Sequence, residues 1–266
     1  MKKQALLAAV ILLIIACQNK PKNKETLDVS SEPIEKTTTV DLSRYPEPLQ
    51  NVFEAHGGLD RWKSMQTITF TMGEETHTSD LNSRDIKVEN PDYTLGSEKG
   101  NVWIAQDSAI MSPQRVKFYH NLMFYFYAMP FLLADDGIIY SEAGPLNKDG
   151  ISYPAIKIGY EQNVGDSPED EYILYYHPET YQMTWLAYTV TFGKNEKSDD
   201  FHYIKYDKWQ KVNGLLLPKM LDWYIVENGL PTTSRGNPRI FDKVDVDQAP
   251  MDDAFYTIPK NGELVE

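Results

Sequence analysis

The sequence predicts a mainly β protein with a smaller helical part, and three observations carry that expectation. First, Gln66 to Met72, Asn101 to Gln106, Tyr153 to Tyr160, Glu171 to His177, Met183 to Phe192, His202 to Val212, Lys219 to Glu227 and Arg239 to Val246 are rich in Thr, Tyr, Ile, Val and Trp. Gly, Pro, Asn and Asp clusters bound these runs, the pattern of strands ending in turns. Second, links such as His177 to Thr180 and Asn213-Gly214 are short enough for antiparallel hairpins and too short for helical crossovers. Third, GxGxxG and GxxxxGK[ST] are absent, which disfavours a nucleotide-binding α/β fold, and no repeat of propeller or solenoid length occurs.

Before the strands come three segments of different character. Lys2 and Lys3 precede an apolar run from Ala5 to Ala16, and Cys17 follows. This is the layout of a signal peptide over residues 1–16, and the run falls short of the roughly 20 residues a spanning helix needs. Ile14, Ile15, Ala16 and Cys17 resemble a bacterial lipobox. That resemblance implies cleavage before Cys17 and acylation of it by chains such as palmitate, each worth about 0.8 kcal/mol per buried methylene. By analogy with Gram-negative lipoprotein sorting, Gln18 in place of an aspartate favours the outer membrane, which implies an envelope lipoprotein with its domain in the periplasm. From Gln18 to about Arg44 the chain is polar and free of aromatics, a disordered tether with ends roughly 30 Å apart. Residues 17–45 are thus lipidated cysteine and tether, and 46–266 a single folded domain.

The domain opens with Leu49, Val52, Phe53 and His56 at amphipathic helical spacing, stopped by Gly57 and Gly58. Leu59, Trp62 and Met65 continue the apolar stripe on a second short turn. Midway, Ser112 and Pro113 read as N-cap and first helical residue of a segment broken by Pro130 and closed by Gly137. Between Leu122 and Ala134 this insert is almost wholly apolar or aromatic, too short to span a membrane and too greasy for an aqueous surface. It must be buried, either as a core helix filling a sheet or as a lid over a cavity for an apolar ligand.

Charge and chemistry exclude several classes. Acidic residues number 39 against 26 basic, a net charge of −13, so nucleic acid is not expected as a partner. One cysteine allows neither an intrachain disulfide nor a CxxC site. The histidines at 56, 77, 120, 177 and 202 form no metal-binding pattern, and GxSxG is absent, so no catalytic residue, metal or cofactor is assigned. Gly165 to Tyr172 and the Asp135-Asp136 pair supply carboxylates that read as solvated loop charge. Seventeen tyrosines, many at alternate strand positions, suit a core or a cavity with apolar walls and a few hydroxyl donors.

Three stretches, AHGGLDRWKSMQTITF, YILYYHPETYQMTWLAYTVTF and YIKYDKWQKVNGLLLPKML, resemble uncharacterised Gram-negative lipoproteins related to the outer-membrane lipoprotein carrier and receptor (LolA/LolB-like) superfamily. The resemblance runs from about Leu49 to Pro259. It implies a strongly curved antiparallel sheet, an incomplete barrel, with helices on the concave side and an apolar cavity between. The expected function is that of a membrane-anchored protein binding an apolar ligand or lipid. The alternatives are an envelope interaction protein with a self-filled core, or a hydrolase of envelope lipid or glycan. Phe124, Phe126, Phe131 and Leu132 of the insert, with Trp103 and Trp185 from the sheet, are the expected ligand contacts. The expected partners are the membrane, through Cys17, and other envelope proteins.

Overall fold

The period-two patterns become strands that pair with their neighbours in the chain. The computed structural model describes residues 39–161, 169–194, 196–252 and 254–265; Cys17, most of the tether and the start of the Gly165 to Tyr172 acidic run lie outside them. Two helices open the domain, α1 (Glu47–Ala55) and α2 (Leu59–Lys63). A meander follows: β1 (Thr67–Met72), β2 (Glu75–Asp80), β3 (Ile86–Asn90), β4 (Tyr93–Glu98) and β5 (Asn101–Gln106). The insert contributes α3 (Pro113–Tyr119), α4 (Leu122–Tyr127) and a 3-10 turn (Phe131–Ala134). A second run of hairpins comprises β6 (Ile138–Lys148), β7 (Ile151–Tyr160), β8 (Tyr172–Tyr176), β9 (Met183–Tyr188), β10 (His202–Val212), β11 (Leu215–Glu227) and β12 (Leu230–Ser234). The short β13 (Arg239–Ile240), β14 (Asp242–Asp247) and β15 (Glu263–Leu264) complete the chain.

Every pairing is antiparallel. One sheet has the order β14-β1-β2-β3-β4-β5-β15, the other β12-β11-β10-β9-β8-β7-β6 with β13 beside β11. The fold is mostly β, and the second sheet curls as an incomplete barrel. The run expected as one strand from Arg239 to Val246 is the seam between the sheets: Met220 pairs with Ile240 on one side and Thr71 with Asp242 on the other. Phe241 lies fully buried at that crossing.

Strands beyond those expected have identifiable reasons for escaping a hydrophobic pattern. β2 reads ETHTSD, yet it pairs on both sides with β1 and β3, and His77, Thr78 and Ser79 are buried. β6 contains Gly144 and Pro145, which sit where the register with β7 shifts between Ala143 and Leu146. On an edge strand a bulged proline costs no ladder hydrogen bond.

The helices lie on the face shared by the two sheets. Leu49, Val52 and Phe53 of α1 and Leu59 and Trp62 of α2 are buried. His56, at the end of α1, fastens it to the second sheet. Its Nδ1 lies 3.1 Å from the Leu216 carbonyl oxygen, and its Nε2 accepts the Met183 N–H at 3.0 Å. Those two partners require a neutral ring protonated on Nδ1, and burial pushes the imidazole pKa down to about 4. Beside it Gly57 adopts φ +108°, and a Cβ there would sit 2.4 Å from the Gly214 carbonyl oxygen in the β10–β11 turn. Only glycine permits that approach.

The folded part begins before Pro46. Leu42–Arg44 form a 3-10 turn capped by Asp41, the Val40 N–H donates to Asp60, and Arg44 pairs with Asp136. Tyr45 is buried, its hydroxyl donating to the Ala134 carbonyl. Among the described residues no helix is long and apolar enough to cross a membrane.

Candidate functional site

The insert is anchored in part through its backbone. The Ser112 side chain accepts the Arg115 N–H and Pro113 occupies the first turn of α3, as expected of that pair. The helix then breaks at Asn121, earlier than Pro130, so the insert is two short helices and a 3-10 turn rather than one helix. Such short elements leave carbonyls without intrahelical partners, and buried carbonyls need donors. Tyrosines from elsewhere in the fold supply them. Tyr206 donates to the Phe126 carbonyl at 2.7 Å, Tyr140 to that of Leu133 and Tyr45 to that of Ala134. Part of the tyrosine excess is therefore spent on holding the insert.

Two further groups tie the insert to the first sheet. Arg84 Nη2 reaches both carboxylate oxygens of Asp135 at 2.8 Å, and its guanidinium lies over the Phe124 ring. Glu75 receives hydrogen bonds from Tyr93, from Tyr119 at the end of α3 at 2.6 Å, and lies 3.0 Å from His77 Nε2. Burial pushes the Glu75 carboxyl up, but the bonds from His77, Tyr119 and Tyr93 together outweigh it and hold the group below its usual range. For Asp135 burial dominates over Arg84 and Lys63, and its pKa is raised.

Between the insert and the second sheet the packing is incomplete. A cavity of about 780 Å³ opens there, within the usual size of small-molecule sites. Its deepest lining comes from Met123, Phe126, Met129 and Leu132, all buried. The sheet side is aromatic, with Tyr160 on β7, Tyr172 on β8, Tyr188 on β9 and Trp223 on β11. Phe126 bridges the two sides, its ring centroid 4.9 Å from that of Tyr188 and 5.8 Å from that of Trp223. Trp223 Nε1 donates to the Tyr188 hydroxyl at 2.9 Å. Burial raises the pKa values of Tyr160, Tyr172 and Tyr188, so these phenols stay protonated donors. Asp170 also lines the cavity and accepts the Thr191 N–H and hydroxyl, with burial raising its pKa.

Of the residues expected at a ligand site, Phe126 and Leu132 line this cavity. Phe131 instead stacks on Trp62, centroids 4.7 Å apart and planes 6° from parallel, and Phe124 packs under Arg84. Trp103 lies on the first sheet, its Nε1 donating to the Tyr256 carbonyl and its ring lining a separate hollow of about 630 Å³ with Phe255 and Pro259. Trp185 faces away from the insert, in a second apolar cluster with Tyr153, Tyr175 and Tyr203. The ends of β6 and β12, opposite edges of the sheet, close over that cluster, and Lys148 Nζ donates to the Thr232 carbonyl at 3.1 Å.

Tyr160, Tyr172, Tyr188 and Trp223 were not among the expected contacts. Strand parity held the signal. Tyr188 shares a face with Leu186 and pairs across with Tyr172, whereas Trp185 shares a face with Ala187. No group of three His, Cys, Asp or Glu side chains is placed to hold a metal ion among the described residues.

Fold and cavity together define an antiparallel half-barrel with a ligand-sized hollow between one sheet and an inserted helix pair. The chain belongs to a family of unknown function, DUF6503, whose model matches residues 95–232, a span that runs from β4 through the insert to β12. It is similar in structure to a DUF1329 family protein from Desulfovibrio piger, with 11% identity, 80% of this chain and 98% of that one covered, and a TM-score of 0.44. It is likewise similar to a LolA superfamily protein from Nitrosomonas europaea, with 10% identity, 79% and 97% coverage and a TM-score of 0.44. No curated protein matches the chain.

Proposed function

We propose that this protein holds an acyl chain or a similar apolar ligand in the cavity between the insert and the second sheet, while Cys17 anchors it to the cell envelope. The supporting observation is the 780 Å³ hollow floored by Met123, Phe126, Met129 and Leu132 and walled by tyrosines. A segment as apolar as 122–134 would close on the sheet completely if packing were its whole purpose, because interiors are filled to crystal density. The role is that of a binder or carrier, and the site residues assigned to it are Phe126 and Leu132 with Tyr160, Tyr172, Tyr188 and Trp223.

Saturable binding of a fluorescent fatty acid to the delipidated protein is the direct test. Each methylene seated contributes about 0.8 kcal/mol, so affinity rises by about fourfold per carbon until the chain outgrows the cavity. A well-folded protein with no saturable binding overturns the reading. Anchoring is tested separately: intact mass and membrane fractionation should show acyl mass lost and the protein released in Cys17→Ala. A native protein recovered soluble and unacylated would remove the anchor from the proposal.

A further inference from the structure

The rim of the cavity differs in charge from the rest of the molecule. Resting on the reading above, we infer that the ligand is an amphiphile with an anionic headgroup, its chain in the apolar cavity and its head among Arg115, Lys117, Arg235 and Arg239. These four cations all line the cavity, two from α3 and two from the β12–β13 connection and β13. Around them is a chain with a net charge of −13.

Exposure grades the lining from floor to mouth. Phe126 and Leu132 are each 3% exposed, the cavity tyrosines are half-buried, and Arg115, Arg235 and Arg239 are exposed. A ligand with an apolar tail, a polar linkage and a charged head meets that gradient in order. The hydroxyls of Tyr160 and Tyr172 make no hydrogen bond among the described residues, although other tyrosines of the insert region do, such as Tyr206 and Tyr140. They are donors suited to the ester or amide carbonyl that joins a tail to its head.

The partnering of charges decides the sign of the head. Three carboxylates also line the cavity, and each is engaged: Asp135 by Arg84 and Lys63, Asp136 by Arg44, Asp170 by Thr191. By contrast, none of the four cations forms an ion pair with a described residue. Arg115 lies 6.0 Å from the Tyr119 ring centroid, and Arg235 Nε donates to the Tyr224 carbonyl. Guanidinium forks that line a cavity without an ion-pair partner among the described residues match phosphate or carboxylate oxygens. In an acidic protein they also steer an anion toward the cavity.

The test compares lysophosphatidylglycerol with lysophosphatidylcholine of the same chain length, each titrated by calorimetry into delipidated protein below its micelle concentration at 0.15 M salt. The anionic lipid should bind at least about ten-fold tighter, and the gap should narrow as salt rises, because the rim charges are exposed. Arg115→Gln combined with Arg239→Gln should bring the preference to parity, while Arg115→Lys with Arg239→Lys retains it. Both sites are exposed and unpaired, so thermal unfolding should be unchanged and serves as the folding control. Equal affinity for the two lipids, or a preference that survives the glutamine pair, overturns the headgroup assignment and leaves the cavity reading standing. Glycerol phosphate binding as tightly as the anionic lipid overturns the amphiphile, and failure of both lipids to bind overturns the cavity reading with it.

Discussion

The two faces of the insert solve different problems with the same residue types. On one face Phe131 lies flat on Trp62 and Phe124 packs beneath Arg84, and both rings are fully buried. On the other, Phe126 and Leu132 are as deeply buried and Phe126 packs on Tyr188 and Trp223, yet a cavity remains between the insert and the tyrosine-lined sheet. Burial alone therefore does not distinguish core from binding site. What distinguishes them is how completely the partner surface fills the space, and on the cavity side the insert is held by the Tyr206 bond to the Phe126 carbonyl together with the packing of Phe126 on Tyr188 and Trp223.

Substituting one phenylalanine on each face breaks the comparison most sharply. Phe131→Ala should cost about 3 to 5 kcal/mol in denaturant unfolding and leave ligand stoichiometry unchanged, since it empties a packed site. Phe126→Ala, beside an existing hollow, should cost less stability and weaken fatty-acid binding about ten-fold or more. Equal stability losses with no change in binding would make the insert a plain core element on both faces.

The packed face also carries the acid sensitivity, through His56, whose ring sits edge-on to Phe131. The unfolded chain takes up a proton below about 6.5, the folded protein only near pH 4. Between those values the unfolded state binds more protons, so stability is fully present above about pH 6.5 and falls as pH drops towards 4. The loss is about 3 kcal/mol across that window. His56→Gln should flatten the dependence in pH-resolved unfolding.

Smaller effects are expected where the two regions are joined. Gly57→Ala places a Cβ 2.4 Å from the Gly214 carbonyl oxygen at positive φ, and should lower stability by about 2 kcal/mol without altering affinity. Tyr206→Phe leaves the Phe126 carbonyl without its donor and should cost about 1 to 2 kcal/mol. Because that bond positions the cavity floor, ligand affinity should fall in this variant and stay constant in Gly57→Ala.

Much of this architecture was legible in the sequence by itself. The eight β-rich runs all contain strands, the Asn213-Gly214 turn joins β10 to β11, and Ser112-Pro113 opens α3. Such features rest on local chemistry, side-chain alternation, a cap oxygen and a residue able to take positive φ, and they need no knowledge of distant chain. Tertiary structure decided the rest. β1 pairs with β14, far along the chain, and polar β2 is a strand because β1 and β3 pair with it on both sides. Trp185 was expected to face the insert, but the register shift between Tyr176–Met183 and Tyr175–Trp185 turns it to the opposite face, so Tyr188 stands in the cavity wall instead. A one-residue slip exchanges the two faces of a strand, and register is set by cross-strand pairing rather than by the strand's own sequence.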